Sequence, residues 1–504
     1  MAEPSRAARE LAGHLDAWFG GIAPGAVIAG QARMGQGAAL ALTDPVTGAP
    51  LPGYTLAGRE LAAAAAIEAA RAFPAWAALA GAERGRRLWA LGAAIRAEAE
   101  AFARAECANT GKPLRDCRAE VARVAEMAEY YAGWADKIEG RVVPVPSGHF
   151  VTVRPEPYGV ILAVTPWNAP LFTAGWNAFP ALAAGNAVVL KPSEMTPFTS
   201  LRLGQLAAGL GLPLQVVAGW VPEAAALLEC REVAKLCFVG GPAAGAKVAA
   251  LCARRCLPHV LELGGKSANI VFADADIDAA VQGAQQAIFA GSGQSCVAGS
   301  RLLLDASIAD EFLAKLGAAM AKIRLGDPLD EATEMGPLAL PRQHAVVTAM
   351  LADARGQGAR VLAAEAPAQP GLAQGCFVPP TILDGLGPKA RAVQEEIFGP
   401  VVAVQRFAGE AEALELANGT RFGLAGAVWT RDGARAHRVA AGLRAGTVWV
   451  NGYRTIHVAV PFGGFGASGH GRSSGAEALA EYTQAKAVWL ETGPEPRLGF
   501  GHRP

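Results

Sequence analysis

The chain has 504 residues, enough for two or three domains that each bury a core. Hydrophobic residues make up 52% and charged residues 18%, the balance of a globular protein rather than a disordered or fibrous one. Basic and acidic residues number 45 each, so no net charge points to nucleic acid or an anionic membrane as partner.

The first residues, MAEPSRAARELAGHLDAWFGG, carry Glu3, Glu10 and Asp16 and lack the continuous apolar core of a signal peptide. No apolar run reaches the roughly 18–20 residues that span a bilayer. From 59 to 139, apolar residues recur at helical spacing. Residues 141–157 then read as a hairpin turning at Ser147 and Gly148, with prolines suited to edge positions. From 160 onward, strand-like runs alternate with helical ones: VILAV (160–164), AVVL (187–190), QVVAG, AKLCFVG (234–240) and HVLELGG (259–265). Such alternation predicts a parallel sheet with helices on both faces, and ligands at the carboxyl ends of its strands. A second β/α region begins near 267 with SANIVF, a helix capped by Asp274 or Asp276, and a cysteine loop. It continues through RLLLD to about 462, and a last β-prone run, AVWLE, covers 487–491.

Eight cysteines without a CxxC pair suit a reducing cytoplasm better than a disulfide framework. Cys252, Cys256 and His259 form the one cluster with any metal-site character. Cys252 and Cys256 would share a helix face, but no second ligand group stands at zinc spacing, so no metal is expected.

Four stretches carry chemistry. Lys191 and Glu194 in KPSE follow the strand AVVL; a lysine there can donate to ribose hydroxyls, and a carboxylate accepts from a 2′-hydroxyl and repels a 2′-phosphate. A surface turn with Ser193 as a helix cap is the other reading. Gly240 and Gly241 in GGPAAG let backbone approach a phosphate at a helix start, although a plain strand-to-helix turn has the same pattern. Glu262 in ELGGKS ends an apolar strand, where partial desolvation would raise its pKa toward that of a useful base; capping or ion pairing are its alternatives. Cys296 sits in GSGQSCVAGS, an open and flexible setting that suits a reactive thiol.

TPWN, KPSE, ELGGKS, GQSC, EEIFGP and PFGGFGASGHGR follow one another over some three hundred residues. Together they resemble the NAD(P)-dependent aldehyde dehydrogenase superfamily. The resemblance implies an α/β fold: a Rossmann-type cofactor domain (1–140 and 158–264), an α/β catalytic domain (265–463) and a small β oligomerisation arm (141–157 and 480–495). It implies Cys296 as nucleophile, Asn168 and the Cys296 N–H as oxyanion donors, and Glu262 as base for water. It assigns Lys191, Ser193 and Glu194 to the adenosine ribose, with Gly240, Gly241 and Gly245 at the pyrophosphate. Thr165, Pro166, Trp167 and Leu263 line the groove, and Glu396 and Phe398 meet the nicotinamide riboside. NAD is favoured over NADP through Glu194.

The same resemblance places Ala169, Phe172, Thr173, Trp176, Ser295, Val297, Arg454, Ile456, His457 and Phe462 around the substrate, with Leu171 helping to keep the tunnel apolar. Small Ala169 and Thr173 suggest a roomy site, and Arg454 and His457 suggest a polar or anionic substrate group. Pairing of Arg454 with a surface acid is the competing reading. The hairpin and the final strand would pair across subunits, giving a homodimer or homotetramer. Two departures stand out: Gly241 and Pro242 replace hydroxyl residues at the phosphate turn, and Ser473 replaces a glutamate. A coenzyme A-acylating relative, a redox-inactive cysteine esterase and a catalytically silent homologue remain as alternatives. Glu262 argues against the first, the intact cofactor set against the second, and the complete nucleophile, base and oxyanion set against the third.

Overall fold

The computed structural model describes residues 4–367 and 371–493. Its framework is two β-sheets whose central strands run parallel. The first has eight strands in the order Gln31–Arg33, Ala26–Ile28, Leu214–Val217, Ala187–Lys191, Val160–Val164, Val233–Val239, His259–Glu262 and Gly469–His470. The five from Leu214–Val217 to His259–Glu262 are parallel, and the flanking short strands run antiparallel. The central runs are mainly apolar because both faces are covered. Successive side chains go to opposite sides. Ile161 and Ala163 join the core formed with helices Gly81–Ala97, Ala99–Thr110, Leu114–Trp134, Pro170–Ala183 and Phe198–Gly209. Val160 and Leu162 join the core under helices Gly58–Ala77, Val221–Glu229 and Pro242–Ala253.

The second sheet runs Arg360–Ala363, Thr381–Asp384, Val401–Phe407, Arg301–Asp305, Ala268–Val271, Ala425–Trp429, Thr447–Val450, and all but the first strand are parallel. Helix Ile277–Ile288 leads from its strand Ala268–Val271 toward the Cys296 loop. Of the two predicted caps, Asp276 is the one used, accepting from the Ala279 N–H. After the second sheet the chain returns to the first. Gly469 pairs with Glu262, and a Cβ at Gly469 would lie 1.9 Å from the Leu261 carbonyl oxygen, at a φ of 108°. Only glycine allows the two strands to close here.

The hairpin forms as predicted, with strands Arg141–Val143 and His149–Pro157 joined through Gly148 in the left-handed region. Pro155 and Pro157 lie beyond the reach of Arg141–Val143, so each has one strand neighbour. The final strand, Thr483–Glu491, pairs with His149–Pro157 of its own chain, in register from Thr483 opposite Pro157 to Glu491 opposite His149. The hairpin and the final strand thus form one three-stranded sheet within the chain. Residues 494 and 495 of the expected arm lie outside the described residues. Cys252 and Cys256 do not share a helix face, because the helix ends at Ala253 and Cys256 has a φ of 49°. Among the described residues, no group of three or more His, Cys, Asp or Glu could hold a metal ion.

The packing of Ile277–Ile288 on the second sheet is close at Gly283, where a Cβ would lie 2.1 Å from the Trp429 ring. Trp429 is itself fixed by a 2.8 Å hydrogen bond from its indole N–H to Asn269. Gly283→Ala gains helix propensity but overpacks this contact, and should destabilise the protein by about 1–3 kcal/mol. Thermal unfolding at a fixed scan rate reads the loss; an unchanged or higher midpoint would contradict this packing.

Candidate active site

Strand His259–Glu262 delivers Glu262 to the carboxyl end of the first sheet, where its side chain is buried. One carboxyl oxygen accepts a 2.9 Å hydrogen bond from the Ser473 hydroxyl; the other is buried without a partner. Burial raises the pKa of Glu262 to about 8, and the Ser473 hydroxyl pulls it back only in part. Ser473 therefore touches the predicted base directly.

The two glycines after Glu262 bring other parts of the chain against it. A Cβ at Gly264 would lie 2.1 Å from a Glu396 carboxyl oxygen, and one at Gly265 would lie 2.5 Å from the Cys296 carbonyl. The Gly265 N–H donates to Glu396 at 3.1 Å. Glu396 is likewise raised by burial, to about 7. Thus ELGG is a contact surface for both the EEIFGP segment and the cysteine loop.

The cysteine loop differs from its expected character. Gly291, Ser292 and Gly293 all adopt left-handed φ values. The Ser292 hydroxyl donates to Gly336 O, and a Cβ at Gly293 would lie 2.1 Å from Gly399 O. Tyr453 donates its hydroxyl to Val297 O at 3.0 Å. The small residues serve tight turns and close packing, so the loop is pinned rather than open and flexible. The Cys296 thiol is pushed up to about 12 by burial, with the Glu396 and Glu262 carboxylates adding to the shift.

Asn168 lies between strand Val160–Val164 and helix Pro170–Ala183. Its amide N–H donates to the Gln294 carbonyl at 2.9 Å, two residues before Cys296. The start of that helix is held by Glu106, a buried residue that sequence reasoning missed. Its carboxylate accepts from the Leu171 N–H at 2.9 Å and the Thr199 hydroxyl at 2.7 Å. An acid between Ala105 and Cys107 in a buried helix was the available signal.

A cavity of about 1000 Å³ connects these residues to the phosphate turn. Thr165, Pro166, Trp167, Lys191, Ser193, Glu194, Gly240, Gly241, Leu263, Glu396 and Phe398 line it. The donor set fits a dinucleotide. The Lys191 ammonium, lowered to about 8 by burial, is held by the carbonyls of Pro192 and Gly219. The Thr165 hydroxyl is buried without a partner. Gly241 caps helix Pro242–Ala253 with open space where its side chain would be. Ser193 caps no helix; its hydroxyl donates to Glu194 and accepts from the Met195 N–H. Gly245 does not line the cavity. A Cβ there would lie 2.5 Å from Leu263, so Gly245 makes room for the leucine that does.

Toward the substrate side, Ala169, Phe172, Thr173, Trp176, Ser295, Val297, Arg454, Ile456 and Phe462 line the same cavity. Leu171 is absent from this wall and sits in the core. His457 is also absent: it is exposed, and its Nδ1 accepts from the Ala459 N–H. Its backbone turn, not a ligand, uses the imidazole. The Thr173 hydroxyl is spent on Ala169 O at 2.8 Å. Lys112, Asp116, Glu120 and Arg123 also line this end. Sequence reasoning missed them, because charges at i, i+4 and i+7 on a helix read as a solvated face.

A family model for the aldehyde dehydrogenase family matches residues 33–488. Betaine aldehyde dehydrogenase of Bacillus subtilis is 41% identical over 447 residues, 87% of this chain and 91% of that one. Human 4-trimethylaminobutyraldehyde dehydrogenase is 39% identical over 89% of this chain and 92% of its own. Among solved structures, PnpE from Pseudomonas sp. WBC-3 superposes with a TM-score of 0.92 at 42% identity, covering 95% of this chain and all (100%) of that one. Betaine aldehyde dehydrogenase of Staphylococcus aureus, solved with NAD+, gives 0.93 at 34% identity, with 99% of each chain covered. The chain belongs to the aldehyde dehydrogenase family.

Burial of Glu262 makes a prediction that needs no substrate. Its folded pKa lies above its unfolded value near 4.5, so the folded state holds a proton that the unfolded state has released between these values. Stability contributed by Glu262 is therefore present at acid pH and lost as pH rises toward 8. The melting temperature of Glu262→Gln relative to wild type should increase from pH 5 to pH 8.5. A difference independent of pH would contradict the shift.

Proposed function

We propose the following division of labour for the NAD-dependent oxidation of an aldehyde to its carboxylic acid that this aldehyde dehydrogenase carries out. Cys296 is the nucleophile. Its thiol is neutral near pH 7, so attack requires release of its proton, which passes to solvent water in the cavity. The sulfur–carbon bond forms as the carbonyl π pair moves to oxygen, giving a thiohemiacetal oxyanion. The Asn168 amide and the Cys296 N–H are assigned to hold that oxygen, each donor worth about 3–4 kcal/mol in the transition state. NAD, when bound, supplies the acceptor for the hydride that leaves this carbon. Glu262 then takes a proton from the water that attacks the thioester. The tetrahedral adduct expels the Cys296 thiolate and releases the acid.

The observation that carries this reading is the convergence of ELGG on both Glu396 and the Cys296 backbone, which joins cofactor groove, nucleophile and base in one cavity. Hydrolysis rather than transfer to coenzyme A is supported by the raised pKa of Glu262, fitted to deprotonating water.

Three coarser features complete the proposal. The first sheet with its helices forms the cofactor domain, and the second forms the catalytic domain. A homo-oligomer is supported by the three-stranded sheet made by the hairpin and final strand, which exposes Val142, Phe150, Trp489 and Leu490. A cytoplasmic location is supported by eight unpaired cysteines. No helix among the described residues is long and apolar enough to cross a membrane.

Pre-steady-state NADH formation tests the roles. Cys296→Ala should abolish NADH production. Glu262→Gln should slow turnover by about 10²–10⁴-fold. Full steady-state turnover in either variant would overturn the assignment. A second prediction concerns the cofactor. Arg342 lies 3.5 Å from Glu194, so removing the carboxylate charge frees a guanidinium for a 2′-phosphate. Glu194→Gln should narrow the NAD over NADP preference, read as the ratio of kcat/KM values, by about tenfold, or 1.4 kcal/mol. An unchanged ratio would remove Glu194 from cofactor choice.

A further inference from the structure

The substrate end of the cavity carries an unusual charge arrangement. Helix Leu114–Trp134 turns Asp116, Glu120 and Arg123 toward it, with Lys112 just before the helix and Arg454 also in the wall. Both acids already have cationic partners. Asp116 lies 3.6 Å from Arg115, and Glu120 accepts a hydrogen bond from Lys112. Neither arginine has a carboxylate within ion-pairing distance among the described residues, although Glu120 and Asp116 act on Arg454 from further away. Among the described residues, Arg123 has no hydrogen bond or ion pair. Arg454 spends a single nitrogen, Nη1, on the carbonyls of Ala290 at 2.7 Å and Gln286 at 3.5 Å.

Arg454 is not placed there at no cost. Its φ is 63°, in the left-handed region that a long side chain rarely adopts, and strain of this kind persists where the surrounding structure requires it. The Nη1 anchor fixes the guanidinium plane and leaves Nε and Nη2 without a protein partner. A planar fork held in this way matches a carboxylate, which can accept two parallel hydrogen bonds. The remaining wall of this end is apolar: Phe172 stacks on Trp176 at 5.1 Å, and Phe462 meets Trp176 edge-on at 5.7 Å. Those rings could face an alkyl chain or a quaternary ammonium. The three cations Lys112, Arg123 and Arg454 outnumber the two acids Asp116 and Glu120 in this wall, which disfavours the ammonium.

We propose that the substrate is a semialdehyde, an aldehyde whose far end carries a carboxylate, with Arg454 binding that carboxylate and Arg123 drawing it toward the cavity. The proposal rests on the aldehyde-oxidising reading above and adds the chemical class of substrate.

The test compares kcat/KM, with NAD, for three aldehydes of equal chain length ending in a carboxylate, its methyl ester or a trimethylammonium group. Wild type should prefer the carboxylate over the ester by at least about tenfold, the worth of one charged hydrogen bond at its lower bound. In Arg454→Gln the carboxylate-to-ester ratio should collapse toward one, chiefly through KM, and Arg454→Lys should restore part of it. Arg123→Gln should lower the ratio less and weaken its dependence on salt. Preference for the trimethylammonium aldehyde, or a ratio unmoved in Arg454→Gln, overturns the proposal. Calorimetric binding of the corresponding dicarboxylate to the NAD-loaded protein reads the same contact without turnover. Failure of the dicarboxylate to bind overturns the substrate class. Dicarboxylate binding that is lost in Arg454→Gln, without NADH from any aldehyde, would uphold the class and overturn the reaction instead.

Discussion

Burial of the Glu262 carboxyl group is the constraint on which the rest of the site depends. A carboxylate at a strand end in water would titrate in its ordinary range and would be a weak base at neutral pH. Here one oxygen is buried without a partner and the other is met only by the Ser473 hydroxyl. Burial acts in the same sense on Cys296 and Glu396, both shifted toward their protonated forms. The thiol is thereby held in reserve, reactive only once it has lost its proton.

That environment is built by backbone approach rather than by bulky apolar cover. Gly264 and Gly265 admit Glu396 and the Cys296 carbonyl to distances that any side chain would prevent. Gly469 lets the returning chain pair with the strand that ends in Glu262 and so carries Ser473 back to the carboxylate. Gly293 seats the cysteine loop against Gly399. The first sheet supplies Asn168, Lys191 and Glu262 from the carboxyl ends of neighbouring parallel strands, and the second sheet supplies the scaffold for Cys296. Neither sheet holds a complete site.

The strand runs from 160 to 265 were legible because fully buried parallel strands are continuous apolar stretches, and VILAV matches its strand residue for residue. The cavity residues were legible because their motifs fall at strand ends, where such sheets bind ligands. Other features were not legible, for identifiable reasons. The short strands from 26 to 55 lack the alternation that marks the later chain, and they take their place through tertiary contact. Gly245 stands within the phosphate-turn motif, but its missing side chain accommodates Leu263. His457 directly follows the cavity residue Ile456 and faces solvent, because neighbouring positions in a loop do not share a direction. The cysteine loop read as flexible because glycine and serine suit both mobile chain and tightly packed left-handed turns; contacts at Gly336, Gly399 and Tyr453, distant in sequence, decide the matter. The charges on helix Leu114–Trp134 could not be assigned to a cavity until the opposite wall was known.

A site with this division of roles must pass through a covalent state on one sulfur, and must wait there when the base is removed. The direct measurement is the mass of the Cys296 peptide from Glu262→Gln protein quenched in acid after exposure to NAD and an aldehyde that wild type oxidises. The account predicts an acyl group on Cys296, at close to one per chain and dependent on NAD. An unmodified Cys296 peptide under conditions where NADH has formed, or the acyl group on another residue, would contradict it.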